Sequence, residues 1–108
     1  MDKKFINLTS HDINVLTPKG IVTIPTSGKV ARVSYDTPTI DTIDDIPIIS
    51  LKYGEVVGLP EPQENTYYIV SAVVRNALKD TRPDVVTPHN IIRHNGVPYV
   101  CKAFRNNN

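Results

Sequence analysis

The sequence has no tryptophan, one cysteine and only two phenylalanines among its 108 residues. The single cysteine, Cys101, excludes a disulfide within the chain and is typical of a protein that works in a reducing compartment. Because aromatic residues are few, Val, Ile and Leu must build most of the core, and this composition favours strands. The apolar share of 40% is enough for a folded domain.

The chain also lacks long apolar runs and an excess of one charge. No run approaches the length that spans a bilayer, and the N-terminal residues lack the apolar core of a secretion signal. We therefore expect a cytoplasmic protein that has no membrane partner. Twelve basic and eleven acidic residues leave a net charge of +1, so we expect no direct contact with nucleic acid.

The charges are nevertheless segregated along the chain. Residues 36–64 carry one basic and seven acidic side chains, whereas residues 1–35 carry five basic and two acidic ones, and residues 65–108 carry six and two. Such a segment either neutralises basic neighbours within the fold or offers an acidic face to a basic partner. In addition, successive side chains of a strand point to opposite faces, so one of the adjacent Tyr67 and Tyr68 must point away from the core. The second interpretation predicts a partner-binding set within and just after residues 41–64: Asp41, Asp44, Asp45, Glu61, Glu64 and Tyr67.

The pattern of apolar residues and turns predicts a single compact α+β domain over residues 1–105, followed by a polar tail at residues 106–108. A mixed or antiparallel sheet of five to seven short strands would pack against one short helix. Turn signals at Thr17-Pro18-Lys19-Gly20 and at Asn95-Gly96 predict two hairpins. Residues 34–45 have the composition of a loop or an irregular edge strand.

The helix is predicted over residues 72–79, directly after a strand at residues 66–70. Ser71 precedes it and can act as its N-cap. Val73, Val74, Ala77 and Leu78 would form its apolar face, and Arg75, Asn76 and Lys79 would point outward.

Four side chains that bind zinc well are present in the sequence: His11, His89, His94 and Cys101. Structural and catalytic zinc ions take three or four such ligands in a tetrahedral arrangement. Three of the four flank the predicted Asn95-Gly96 turn, and His11 adjoins Asp12. However, the spacing contains no C-x-x-C or H-x-x-x-H pair, so the alternative is surface histidines and a buried cysteine. Zinc is thus a hypothesis for the cofactor.

Catalytic signatures are weak throughout the chain. Cys101 lies in an alternating strand pattern, which favours a core thiol over a nucleophile, and the adjacent Asp44 and Asp45 would point in different directions. We therefore predict no catalytic residues and no enzyme. The alternative from another class is a small zinc-dependent enzyme that acts on a nucleotide or a related substrate and is centred on His11, Asp12 and Cys101.

Four passages resemble a known family: Asn-Leu-Thr-Ser-His-Asp-Ile-Asn-Val at residues 7–15, Gly-Glu-Val-Val-Gly-Leu-Pro-Glu-Pro at residues 54–62, Tyr-Ile-Val-Ser at residues 68–71 and Arg-Pro-Asp-Val-Val at residues 82–86. The family consists of small proteins encoded in phage and prophage genomes of bacteria. The Asn- and Lys-rich character of the chain suggests a streptococcus-like host.

A class of similar size and type comprises the anti-CRISPR proteins directed at type II-A RNA-guided nucleases. The resemblance implies a phage-encoded interaction protein that binds a host defence protein, such a nuclease, and blocks its engagement with nucleic acid. A second alternative is an accessory protein of phage DNA metabolism or virion assembly. The resemblance extends from the four passages over most of the sequence and includes the surroundings of His11 and Cys101, which adds to the case for zinc.

Overall fold

The computed structural model describes residues 2–79 and 81–106, and strands dominate this part of the chain. Its ten strands and one helix are β1 (Lys4–Asn7), β2 (Ile13–Thr17), β3 (Gly20–Ile24), β4 (Arg32–Asp36), β5 (Thr39–Ile43), β6 (Ile46–Ile49), β7 (Lys52–Val57), β8 (Thr66–Ile69), α1 (Ala72–Leu78), β9 (Val85–His94) and β10 (Val97–Arg105). The α+β prediction is therefore only partly correct. A mixed sheet and one short helix are present, and the main sheet has six strands, within the five to seven expected, but the chain is mostly β.

The main sheet has six strands in the order β1-β8-β9-β10-β2-β3. The β1–β8, β8–β9 and β10–β2 pairs are parallel, whereas the β9–β10 and β2–β3 pairs are antiparallel. The sheet curls, because Asn7 at the end of edge strand β1 forms a bridge with Thr26, just beyond the opposite edge strand β3. This curling brings loops from distant parts of the sequence to one end of the sheet.

Both predicted hairpins are confirmed. Strands β2 and β3 are joined through Pro18 and Lys19, and β9 and β10 through Asn95 and Gly96. Asn95 and Gly96 have φ angles of 52° and 80°, as a type I′ turn requires.

Two further antiparallel pairs, β4–β7 and β5–β6, lie outside the main sheet. Of the two interpretations of residues 34–45, the irregular edge strand is correct, because this segment contains the end of β4 and all of β5, and within the described residues each strand pairs on one side only with a shift of register. The turn from β5 to β6 is formed by Asp44 and Asp45, with φ angles of 51° and 63°. Aspartate tolerates this left-handed conformation better than most residues, so an acidic pair can close a hairpin.

The core lies between β1, β8, β9 and the helix, and β4 and β7 cover the helix from another side. Its buried residues are Leu8, Ala31, Tyr68, Val70, Val74 and Val85. The predicted N-cap is confirmed, since the Ser71 hydroxyl accepts a hydrogen bond from the Val74 N–H at 3.4 Å. The predicted outward orientation of Arg75 is wrong: its side chain is fully buried, because strands flank the helix on more than one face.

The described chain is elongated, with extents of 54 × 37 × 26 Å. Its radius of gyration of 16.4 Å exceeds the value of about 13 Å that is usual for a compact domain of this length. None of its helices is long and apolar enough to cross a membrane within residues 2–79 and 81–106. Residues 107 and 108 of the predicted polar tail lie outside the described residues.

Candidate functional site

A cavity of about 630 Å³ opens at the end of the curled sheet. The loop between β1 and β2, the start of the helix, the first half of β9 and the middle of β10 form its wall. Apolar side chains make up most of this wall, and the polar groups belong to a few residues such as His11, Asp12, Ser71 and Thr87. A mainly apolar cavity of this size with a few convergent polar groups is typical of a small-molecule site.

Asn7 positions the loop that carries His11 and Asp12. Its side-chain amide nitrogen donates to the carbonyl oxygens of His11 and Ile24, at 2.9 Å and 3.1 Å. Its amide oxygen accepts from the backbone N–H and the hydroxyl of Thr9, at 2.9 Å and 2.6 Å. The residue is only 2% exposed, so these four bonds replace its contacts with water. Asn7 thereby holds the end of β1, the following loop and the end of β3 together.

Asp12 is fixed by a second link to the same region. Its carboxylate oxygen Oδ1 accepts a hydrogen bond from the backbone N–H of Thr26 at 3.0 Å. The Ser27 N–H and hydroxyl both donate to the carbonyl oxygen of Asn7, at 3.0 Å and 2.7 Å. The carboxylate therefore sits at the cavity on a loop that backbone bonds hold in place.

Cys101 lies on the cavity wall and is buried. Burial raises the pKa of its thiol, because a thiolate loses the stabilisation of water there. The thiol is consequently protonated near neutral pH, which disfavours nucleophilic attack and adds a cost to metal ligation.

The four predicted zinc ligands are only partly brought together. His11 and Cys101 line the cavity, whereas His89 and His94 lie elsewhere on β9. The His94 ring stands 6.4 Å from the ring of Tyr99, centroid to centroid. Across residues 2–79 and 81–106, no group of three or more His, Cys, Asp or Glu side chains is arranged to hold a metal ion. Zinc binding stays a prediction.

Three of the predicted partner-binding acids belong to one projecting element, which we call the arm: residues 39–49, comprising β5, its turn and β6. Asp41 lies in β5, and Asp44 and Asp45 form the turn. Every residue of the arm is exposed, and it pairs with no third strand in the described chain. Its large apolar side chains are 40% to 65% exposed: Ile40, Ile43, Ile46, Ile48 and Ile49.

The other predicted partner-binding residues lie on different elements. Glu61 and Glu64 are exposed in the loop between β7 and β8. Tyr67 in β8 is half-buried; its ring centroid lies 6.1 Å from that of Phe5, and Lys3 Nζ lies 5.9 Å from it. Among the hydrogen bonds and ion pairs of the described residues, none joins these three to the arm. The predicted acidic set thus spans the arm, a loop and a strand.

Sequence reasoning missed two features of these sites. The first strand of the arm has no clear sequence signal, because the composition of residues 34–45 fits a loop as well as an irregular edge strand. The full role of Asn7 cannot be read from local sequence, because its bond to the carbonyl oxygen of Ile24 spans 17 residues. Comparison of the chain with protein-family models, with curated proteins and with solved structures finds no match.

Proposed function

We propose that the protein is a phage-encoded interaction protein that inhibits a host defence nuclease, a type II-A RNA-guided nuclease, by occupying its nucleic-acid-binding surface. The observation that carries the proposal is the arm, which exposes five isoleucines and three aspartates and has no basic residue.

The chemistry of the arm suits a basic protein surface. Surfaces that bind nucleic acid are rich in Lys and Arg, since phosphate contacts dominate their affinity. The three aspartates offer complementary charge, which speeds encounter and sets orientation. The isoleucines offer apolar surface whose burial supplies affinity that salt does not screen.

The buried thiol on the cavity wall is poorly suited to nucleophilic catalysis. A catalytic cysteine needs a lowered pKa, whereas burial raises the pKa of Cys101. The charged side chains of the arm are exposed on a hairpin. Inhibition by occupancy needs neither a nucleophile nor a cofactor.

The test is a DNA-cleavage assay with purified type II-A nuclease, its guide RNA and target DNA, titrated with this protein. We expect inhibition to saturate near one protein per nuclease, without turnover of the protein. The variant D41N/D44N/D45N should weaken inhibition by about tenfold, because three charges are lost while the hairpin geometry is kept. Asparagine tolerates the positive φ of the turn, so the arm itself should persist.

A matched control removes the same charge from outside the arm. In D2N/D36N/E55Q three exposed acids outside the predicted partner-binding set are neutralised, near the N-terminus, on β4 and on β7. We expect inhibition within about twofold of the wild type, because exposed charges away from the contact contribute little. Equal weakening of the two variants would contradict a specific role of the arm, and no inhibition by the wild type would reject the proposal.

A second candidate is zinc-dependent chemistry on a nucleotide or related substrate, favoured by the presence of His11, Asp12 and Cys101 on one cavity wall. Elemental analysis of untagged, reduced protein tests it. About one zinc per chain that is lost in H11A and C101S, but kept in H89A and H94A, would support this candidate. Zinc-free wild-type protein would reject it. A phage accessory role predicts neither inhibition nor turnover.

A further inference from the structure

A second hairpin, exposed in its outer part, carries the opposite charge to the arm. We call it the basic hairpin: residues 85–105, comprising β9, its turn and β10. It contains Arg93, Lys102 and Arg105, two histidines and no acidic residue. The arm, by contrast, contains three acids and no base.

The outer part of the basic hairpin projects from the sheet. Strand β8 pairs with β9 only at Val85 and Val86, and the pairing of β10 with β2 is centred on Cys101. Residues 89–96 are all exposed, so the outer edge of β9 is unpaired there in the described chain. The exposed side chains include apolar ones: Ile91, Ile92 and Tyr99.

The two hairpins do not cover each other within one chain. The aliphatic side chains of the arm and of the outer part of the basic hairpin remain exposed. Strands β9 and β10 contact each other, their neighbours in the main sheet and the helix. An isolated two-stranded hairpin is at best marginally stable in water, so the arm gains most from a partner that packs on it. The basic hairpin of another copy offers both opposite charge and apolar surface.

We propose that the arm of one copy docks on the basic hairpin of a second copy, and reciprocally, to form a symmetric dimer in which the arms are covered. A two-fold arrangement uses each hairpin once per copy and closes the assembly, whereas a head-to-tail contact would leave both hairpins free at the ends of a chain of copies. Binding of the nuclease and formation of the dimer then compete for the arm. This competition, unlike the dimer itself, rests on the proposed function.

Charge reversal on each side, followed by mixing, tests the dimer. The arm-reversed variant is D41K/D44N/D45N, and the hairpin-reversed variant is R93E/K102E; all five positions are exposed. Sedimentation equilibrium of the wild type should give a dimer. Each variant alone should form a weaker dimer, with a dissociation constant about tenfold or more above that of the wild type, because like charges then meet. An equimolar mixture should regain the dimer, because both contacts again join opposite charges.

Two controls carry a single charge reversal elsewhere on the exposed surface, K19E in the β2–β3 turn and E55K in β7. Both should remain dimers. Thermal unfolding of every variant checks that the charge changes leave the fold intact. The wild-type dimer should also weaken as salt is raised, because exposed charges are screened.

A wild-type monomer over about a hundredfold concentration range would overturn the inference, as would dimerisation of the variants alone or failure of the mixture to recover. These outcomes are separable from the proposed function. Nuclease inhibition by a monomeric protein would show that the nuclease, and not a second copy, covers the arm. A dimer that does not inhibit the nuclease would support self-association and reject the proposed target.

Discussion

Arg82 and Asp84, which lie between α1 and β9, form an ion pair that fastens the loop between β7 and β8. The guanidinium donates to both carboxylate oxygens of Asp84 at 2.9 Å and to the carbonyl oxygen of Pro60 at 2.9 Å. Both side chains are less than one-fifth exposed. The hydrogen bonds from Arg82 lower the pKa of the Asp84 carboxyl, and the same contact raises the pKa of Arg82. Bidentate geometry of this kind is worth more than an ordinary surface pair.

Asp84→Asn should therefore lower the free energy of unfolding by about 1–2 kcal/mol at pH 7. Because the folded pKa of Asp84 is depressed, its stabilisation is complete above the unfolded pKa of about 4 and is lost as pH falls through the folded pKa. The difference between wild type and variant should then shrink below about pH 4. Urea unfolding at several pH values measures it.

Glu55→Gln is the matched control, since Glu55 is an exposed acid on β7. It should change stability by less than about 0.5 kcal/mol at every pH. A pH-independent loss in Asp84→Asn would show that shape, and not charge, supplies the stabilisation.

At the scale of elements, Asn7 joins β1, the loop at the cavity and the end of β3. Its amide nitrogen faces two carbonyl oxygens, those of His11 and Ile24. Its amide oxygen faces two donors of Thr9. Only an amide supplies donors and acceptors on opposite sides, so neither Asp nor Leu can replace all four bonds.

Asn7→Asp should lower the free energy of unfolding by about 2–4 kcal/mol, because a carboxylate oxygen would face two carbonyl oxygens in a buried site. Asn14→Asp is the control. The Asn14 amide oxygen accepts from the Thr23 hydroxyl at 2.7 Å, and an aspartate retains that acceptor. We expect a loss below about 1 kcal/mol there. Similar losses at both positions, measured by denaturant unfolding, would contradict the role of Asn7.

At the scale of the whole molecule, the arm contributes no residue to the core cluster. Its base is closed where the Ser50 N–H donates to the carbonyl oxygen of Pro38 at 2.9 Å. The two chain ends at the base therefore lie close enough for a short connection to replace the arm.

Replacement of residues 39–49 by two glycines should leave the fold intact and shift the melting temperature by less than about 5 °C, since the removed residues are exposed. The same variant should be monomeric and should not inhibit the nuclease. Circular dichroism, thermal unfolding and sedimentation measure these outcomes. Loss of the fold would show that the arm supports the core.

Local signals predicted the hairpins and the helix cap well. Asn95-Gly96 demands positive φ at both turn positions, and Ser71 offers a hydroxyl to the first free amides of the helix. These preferences act between residues within four positions of one another. They hold whatever the rest of the chain does.

Local signals failed where contacts with segments that are distant in the sequence determine the structure. Arg75 carries a charge that predicts an outward side chain, yet strands on two sides of a short helix bury it. The composition of residues 34–45 left a loop and an irregular edge strand open, and the pairing with β6 and β7 decides for strands.

The cavity shows the same division between sequence and tertiary structure. The sequence by itself determined a strand-rich chain with a buried thiol and an acidic middle segment, because composition and alternation set which residues can leave water. Only the tertiary structure decided that His11 and Cys101 share a cavity while His89 and His94 do not, and that three aspartates project on an apolar arm. The curl of the sheet and the pairing of strands are long-range contacts, and spacing along the chain does not specify them.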